Sequence, residues 1–138
     1  MKSFPAFATI EFNSVPVGLY AADALLKKSP IGMIRTGTIG SGRFFILLAG
    51  TTASVAEAHE EALFHGGLQV ADDCFLPDIH PALYEAILGG PRQMGDGPIW
   101  ILETPTVSCN IQAIERAMKG VPVDLLEFRA GAPRMAGR

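Results

Sequence analysis

Residues 6–31 read AFATIEFNSVPVGLYAADALLKKSPI, and this stretch decides the fold. Residues 6–12 alternate apolar and polar positions and are rich in β-formers, the pattern of a strand. Ser14 is placed to cap a helix, and Leu19, Ala22, Leu25 and Leu26 then recur at helical spacing. The spacing predicts an amphipathic helix over 15–28, ended near Ser29-Pro30. The same unit returns further along the chain without a gap. Glu11 falls on Glu103, an offset of 92, and the same offset puts Val15 on Val107, Ala21 on Ala113, Lys27 on Lys119 and Pro30 on Pro122. Conservative pairs fill the spaces, among them Leu19 with Ile111 and Asp23 with Glu115. A shared apolar period explains none of the matching Glu, Lys and Pro, so the stretch reads as two copies of one supersecondary unit.

Working outward, residues 31–38 predict a second strand, Gly40-Ser41-Gly42 a tight turn, and 43–49 (RFFILLA) a strand with so little polar relief that both its faces should be buried. Thr51 or Thr52 caps a helix to about Phe64, closed by Gly66-Gly67; a strand over 68–75 follows. His80-Pro81 opens a helix to about Leu88. Residues 89–98 (GGPRQMGDGP) form a linker. The second copy then predicts a strand at 99–104, a helix at 106–119 and a strand at 121–128. The expected fold class is α+β: a ferredoxin-like β-α-β-β-α-β-α domain, with helices packed on a mainly antiparallel sheet, followed by a partial β-α-β copy. The boundaries fall at 1–90, 91–97 and 98–138. Counterparts of 44–90 are missing from the second copy, so the chain is expected to be a fragment of a tandem protein.

The chain has 138 residues, the size of one ordinary domain, with 49% hydrophobic and 18% charged residues, enough for a real core. Its net charge of −3, from 11 basic against 14 acidic residues, disfavours a general nucleic-acid binder. No apolar run reaches the 18 or so residues that would span a bilayer, and the N-terminal residues lack the pattern of a signal peptide. The expectation is a cytoplasmic protein with no membrane or nucleic-acid partner. Cys74 and Cys109 make neither a ligand cluster nor a disulfide framework.

Several short segments in order resemble the bacterial microcompartment shell domain, in its tandem-domain, trimer-forming class of the propanediol-utilisation type. Residues 17–27 (VGLYAADALLK) are similar to the family's first helix, and 38–42 (TIGSG) to the loop that lines its central pore. FFILLAGTTASVAEAHEEA is similar to the following strand, turn and helix, and LPDIHPALYEAI to the closing strand and short helix. The resemblance implies a non-enzymatic structural protein that assembles with itself, as a trimer or pseudohexamer, and with other shell proteins. The tiles so formed would pave a microcompartment shell and pass small-molecule solutes through a central pore. It further implies that Ile39, Gly40, Ser41 and Gly42 line that pore, joined by Arg134, Met135, Ala136 and Gly137 from the second copy. Arg134 would favour anionic solutes if it points inward; as an ordinary loop arginine it would be solvated. Without the resemblance, Gly40 to Gly42 read as a hairpin turn. Lys27 and Lys119 would sit at the tile edge; apart from the resemblance they are cations placed well near helix C-termini. Some relatives hold an iron–sulfur cluster at the pore through one cysteine per chain; here Gly40 stands at that place, so no cofactor is expected there.

No catalytic constellation stands out, and no metal site is expected. His59 and His65 are six apart where a zinc helix needs four, so they read as a solvated helix face. His80 reads as structural at a helix start, and Asp72-Asp73 as a strand-end or turn pair. The alternative function, compatible with the same topology, is a small trimeric ligand-binding regulatory protein with a ferredoxin-like fold.

Overall fold

The structure, a computed structural model, describes residues 3–131. The elements run β1 (Ala6–Phe12), α1 (Val15–Lys28), β2 (Met33–Ile39), β3 (Arg43–Gly50), α2 (Thr52–Gly66), β4 (Val70–Leu76), α3 (Pro81–Ile87) and α4 (Val107–Gly120). The four strands form one sheet in the order β2-β3-β1-β4, and every pairing in it is antiparallel. This is the ferredoxin-like arrangement. The expected strands at 31–38 and 68–75 each begin two residues later than the sequence pattern put them.

Local chemistry sets the helix limits. The Ser14 hydroxyl accepts from the Val17 amide at 3.3 Å, Pro16 sits in the first turn where its missing N–H costs nothing, and Lys27 and Lys28 fill the last turn. Thr51 caps α2 in the same way through the Ser54 amide, 3.3 Å away. Thr106 caps α4, accepting from the Cys109 amide at 3.1 Å. The two caps, Ser14 and Thr106, lie 92 residues apart, the same offset as in the sequence match, and the two helices each have 14 residues.

Helices cover both faces of the sheet. On one face α1 and α2 bury Ala21, Ala22, Leu25, Val55, Ala58 and Ala62 against Ala8, Ile10, Phe12, Phe44, Ile46 and Leu48. On the other, α3 and α4 bury Leu83, Tyr84, Val107 and Ile111 against Phe7, Leu47, Ala49 and Cys74. The small residues of α1 let it approach β3 closely. A Cβ on Gly18 would lie 2.2 Å from Cδ1 of Phe44. As its composition predicted, β3 is sandwiched between the two cores.

Two expected strands are corrected. Residues 99–104 and 121–128 join no ladder. The sheet order gives the reason: β1 and β2 do not touch each other, because each pairs with β3, which lies between them. The counterpart of β3 would follow the second candidate pore segment, Arg134 to Gly137, outside the described residues. Among the described residues, 99–104 and 121–128 have no strand between them to pair with. Residues 99–102 are exposed, while 121–128 turns back on the linker, where the Gln93 amide donates to the Leu126 carbonyl at 2.9 Å.

Candidate functional site

The 40–42 turn closes the hairpin between β2 and β3, with Ile39 paired to Arg43 at its base. It is one 3₁₀ turn, and Gly42 has φ +73°, a conformation that favours glycine. Gly131, three residues before the second candidate pore segment, lies against this turn. A Cβ there would be 3.6 Å from the Gly40 amide nitrogen and 3.6 Å from Cβ of Ile39. Segments 91 residues apart in sequence, Gly40 and Gly131, are thus neighbours in space. Arg134, Met135, Ala136 and Gly137 lie outside the described residues. Beside the turn a cavity of about 210 Å³ opens on the α4 side of the sheet, lined among others by Thr38, Ile39, Leu47, Val107 and Phe128.

The site that sequence reasoning missed is the socket that holds α4. Thr9 and Glu11 are the polar positions of β1, and both are fully buried. The carboxylate of Glu11 accepts from the Val107 amide at 3.2 Å and the Ser108 amide at 2.9 Å, so it caps the first turn of a helix 96 residues away. Negative charge at the positive end of a helix, with both oxygens taken by amides, is a favourable arrangement for a buried carboxylate. Thr9 Oγ1 and Ser108 Oγ are 2.8 Å apart. The Thr106 hydroxyl donates to Asp72, Gln112 Nε2 to the Asp73 carbonyl at 2.9 Å, and the His80 amide to both oxygens of Glu115, at 3.2 and 3.0 Å. Among the described residues, no buried side-chain polar atom lacks a hydrogen-bond partner. The signal was present in the sequence as an acidic residue inside an apolar strand, repeated at Glu103.

Lys27 is exposed at the end of α1 and pairs with Asp23 at 2.6 Å; this hydrogen bond, and then the carboxylate charge, raises its pKa. Lys119 makes the matching pair with Glu115 at 2.5 Å and also donates to the Asp78 carbonyl. His80 caps α3, its Nδ1 accepting from the Ala82 amide at 3.2 Å. The solvated reading of His59 is overturned. It is buried between α2 and β4, with Nε2 2.8 Å from Asp73 and its ring stacked on Phe75. The pattern hid this because Asp73 and Phe75, its partners, lie on another element. His65 turns elsewhere, to Glu61 at 3.0 Å. Asp72 and Asp73 lie inside β4 rather than at its end, and alternation sends them to opposite faces of the sheet.

The two cysteines differ sharply in environment. Cys109 is exposed, whereas burial, then the charges of Asp73 and Asp72, push the Cys74 thiol up from near 9.0 to about 12. A thiol reagent at pH 8 is expected to titrate one thiol in the native chain and two after unfolding, because the thiolate is the nucleophile. Two fast-reacting thiols in the native chain would contradict the packing. The same shift fixes a pH dependence. The unfolded thiol loses its proton from about pH 9 while the folded one keeps it, so this contribution is intact below pH 9 and is lost as pH rises toward 12.

Comparison with known proteins bears on what such a fold does. The profile of the BMC domain matches residues 6–79. The chain is 31% identical over 121 residues to the bacterial microcompartment shell protein PduT of Citrobacter freundii, an alignment that takes in 88% of this chain and 66% of that protein. The chain therefore spans just under two thirds of the length of that relative. It also superimposes on the crystal structure of a microcompartments protein from Desulfitobacterium hafniense DCB with a TM-score of 0.72 and 26% identity, covering 94% of this chain and 72% of the other.

Proposed function

The chain belongs to the BMC-domain family, and from that premise we propose that it is a structural shell protein of a bacterial microcompartment. The observation that carries this reading is the domain match over 6–79, more than half of the chain, together with the shell-protein relative. Its role is architectural, not enzymatic. In the finer reading, 1–90 is one complete domain, 91–97 a linker and 98–138 the opening of a second domain. Two such domains per chain and three chains make a cyclic, pseudohexameric tile. Ile39, Gly40, Ser41 and Gly42 line its central pore together with residues from Arg134 to Gly137, and small metabolites pass through. The approach of Gly131 to Gly40 supports this, since it brings the chain to the first loop three residues before the second one begins. Lys27 lies at the tile edge. Lys119, the matching cation of the second copy, is assigned the same role.

Closed rotational symmetry and a large apolar side interface are what a tile requires. The purified chain is expected to form a defined oligomer by light scattering over a range of concentrations, and flat sheets in the electron microscope at low salt. A stable, folded monomer at every concentration would sink the proposal. Discrete trimers that saturably bind a nucleotide or amino acid would favour the regulatory alternative, which neither the domain match nor the relative supports.

A further inference from the structure

β2 carries a glycine that its own surroundings do not demand. Gly37 stands in the middle of the strand, where glycine packs nothing and weakens the ladder. Its backbone lies outside the left-handed region, so other residues adopt the same conformation. A Cβ built on it would meet nothing within 4 Å, whereas one on Gly18 would strike the Phe44 ring. Neither strain nor crowding holds glycine here. What the missing side chain leaves is space, and a glycine inside a strand often marks the close approach of a ligand.

Alternation puts Arg35 and Gly37 on the same face as Met33 and Ile39, the α3 and α4 side, in register with Leu47 and Phe45. The cavity of about 210 Å³ opens at this place, walled by Phe45, Leu47, Ile87, Val107 and Phe128. Arg35 alone among its lining residues is charged. It is exposed, and it makes no ion pair among the described residues. β2 is also an edge strand, so the backbone groups it does not give to β3 lie at the rim. Apolar walls below an uncommitted guanidinium suit a small organic acid, whose carboxylate pairs with the cation while its hydrocarbon body is buried. Drug-sized pockets run to about 300–1,000 Å³, so this smaller one suits a ligand of roughly five to ten heavy atoms. An amine would meet Arg35 with no carboxylate among the lining residues to balance it. A neutral alcohol would leave the guanidinium unused.

We propose that this cavity binds a small aliphatic or aromatic monocarboxylate, with its carboxylate on Arg35 and its apolar body in the space that Gly37 leaves. The site shares Ile39 with the candidate pore turn but requires neither the pore nor the shell role. The two readings therefore stand or fall separately.

Saturation-transfer NMR with sodium hexanoate tests it, because the signal is read on the small molecule whatever the size of the protein assembly. Hexanoate is expected to bind saturably, with the strongest transfer at its methyl end. Hexanol and hexylamine, of matching length, are expected to bind at least about tenfold more weakly. Arg35→Gln should weaken hexanoate binding at least about tenfold, and Arg35→Lys should recover part of the loss. Gly37→Leu, whose side chain would occupy the cavity, should abolish binding in a chain that keeps its fold by circular dichroism. Should that variant not fold, the two Arg35 variants decide. Hexanoate that does not saturate, that hexanol matches in affinity, or that binds the Arg35→Gln chain as well as wild type would overturn the site. A defined oligomer by light scattering that binds no hexanoate would overturn the site and leave the shell role standing.

Discussion

Glu11→Ala is expected to destabilise the chain by about 3–5 kcal/mol in urea unfolding and to release the start of α4. The substitution strips two buried amides, those of Val107 and Ser108, of their acceptor and leaves a void beside them. Each unsatisfied buried donor costs about 1–3 kcal/mol. Hydrogen exchange at these two amides should accelerate far more than at the β1 and β3 amides, since the first turn of α4 can open without unfolding the sheet. Glu11→Gln keeps one acceptor oxygen and should fall between Ala and wild type. Glu103→Ala, the same change at the repeat counterpart, is the internal control. Glu103 is exposed, so a shift within about 0.5 kcal/mol is expected in the isolated chain. Equal effects at 11 and 103 would refute the capping role.

Gly18→Val should cost about 3 kcal/mol or more, against the helix-propensity trend that favours replacing a mid-helix glycine. A Cβ at this position meets Cδ1 of Phe44 at 2.2 Å and Cγ at 2.7 Å. The ring has little freedom to yield, because Phe44 is buried and its centroid is 6.4 Å from that of Phe12. α1 would have to lift from β3, opening the core between them. Gly18→Ala gives the milder form, and combining it with Phe44→Leu should recover part of the loss. That non-additivity distinguishes a clash from a backbone effect. If Gly18→Ala and Phe44→Leu simply add, the close approach is not what holds glycine at this position. At the offset of 92 the sequence has Asn110, on a helix whose matching face has no such strand beneath it in the described residues.

How far the sequence could be read depended on whether the partners of an element lay near it in the chain. Helix limits were legible because Ser14, Thr51, Pro30 and Gly66 act on their own neighbours. The double burial of β3 was legible because RFFILLA leaves no polar side to expose. The burial of Thr9 and Glu11 was not, since alternation separates two faces without saying what covers the second. The cover came from a helix about a hundred residues away. His59 was misread for the same reason, its carboxylate lying on β4. The strands expected at 99–104 and 121–128 have strand-like composition, but a ladder is a property of two segments, and neither finds a partner among the described residues. Of the candidate pore, the turn at 40–42 and its contact with Gly131 are visible in the structure, whereas Arg134 to Gly137 are beyond what it describes.

The placing of β3 between β1 and β2 also bears on how such a chain matures during synthesis. A ribosome delivers β1, α1 and β2 first, yet nothing in that stretch can knit a sheet, since the strand that joins its two ends emerges third. Until Arg43–Gly50 appears, β1 and β2 are exposed edges with apolar faces, the kind of surface that invites stray association. Their joining then comes in one step, when β3 zips to both neighbours at once, and β4 closes the far edge of β1 afterwards.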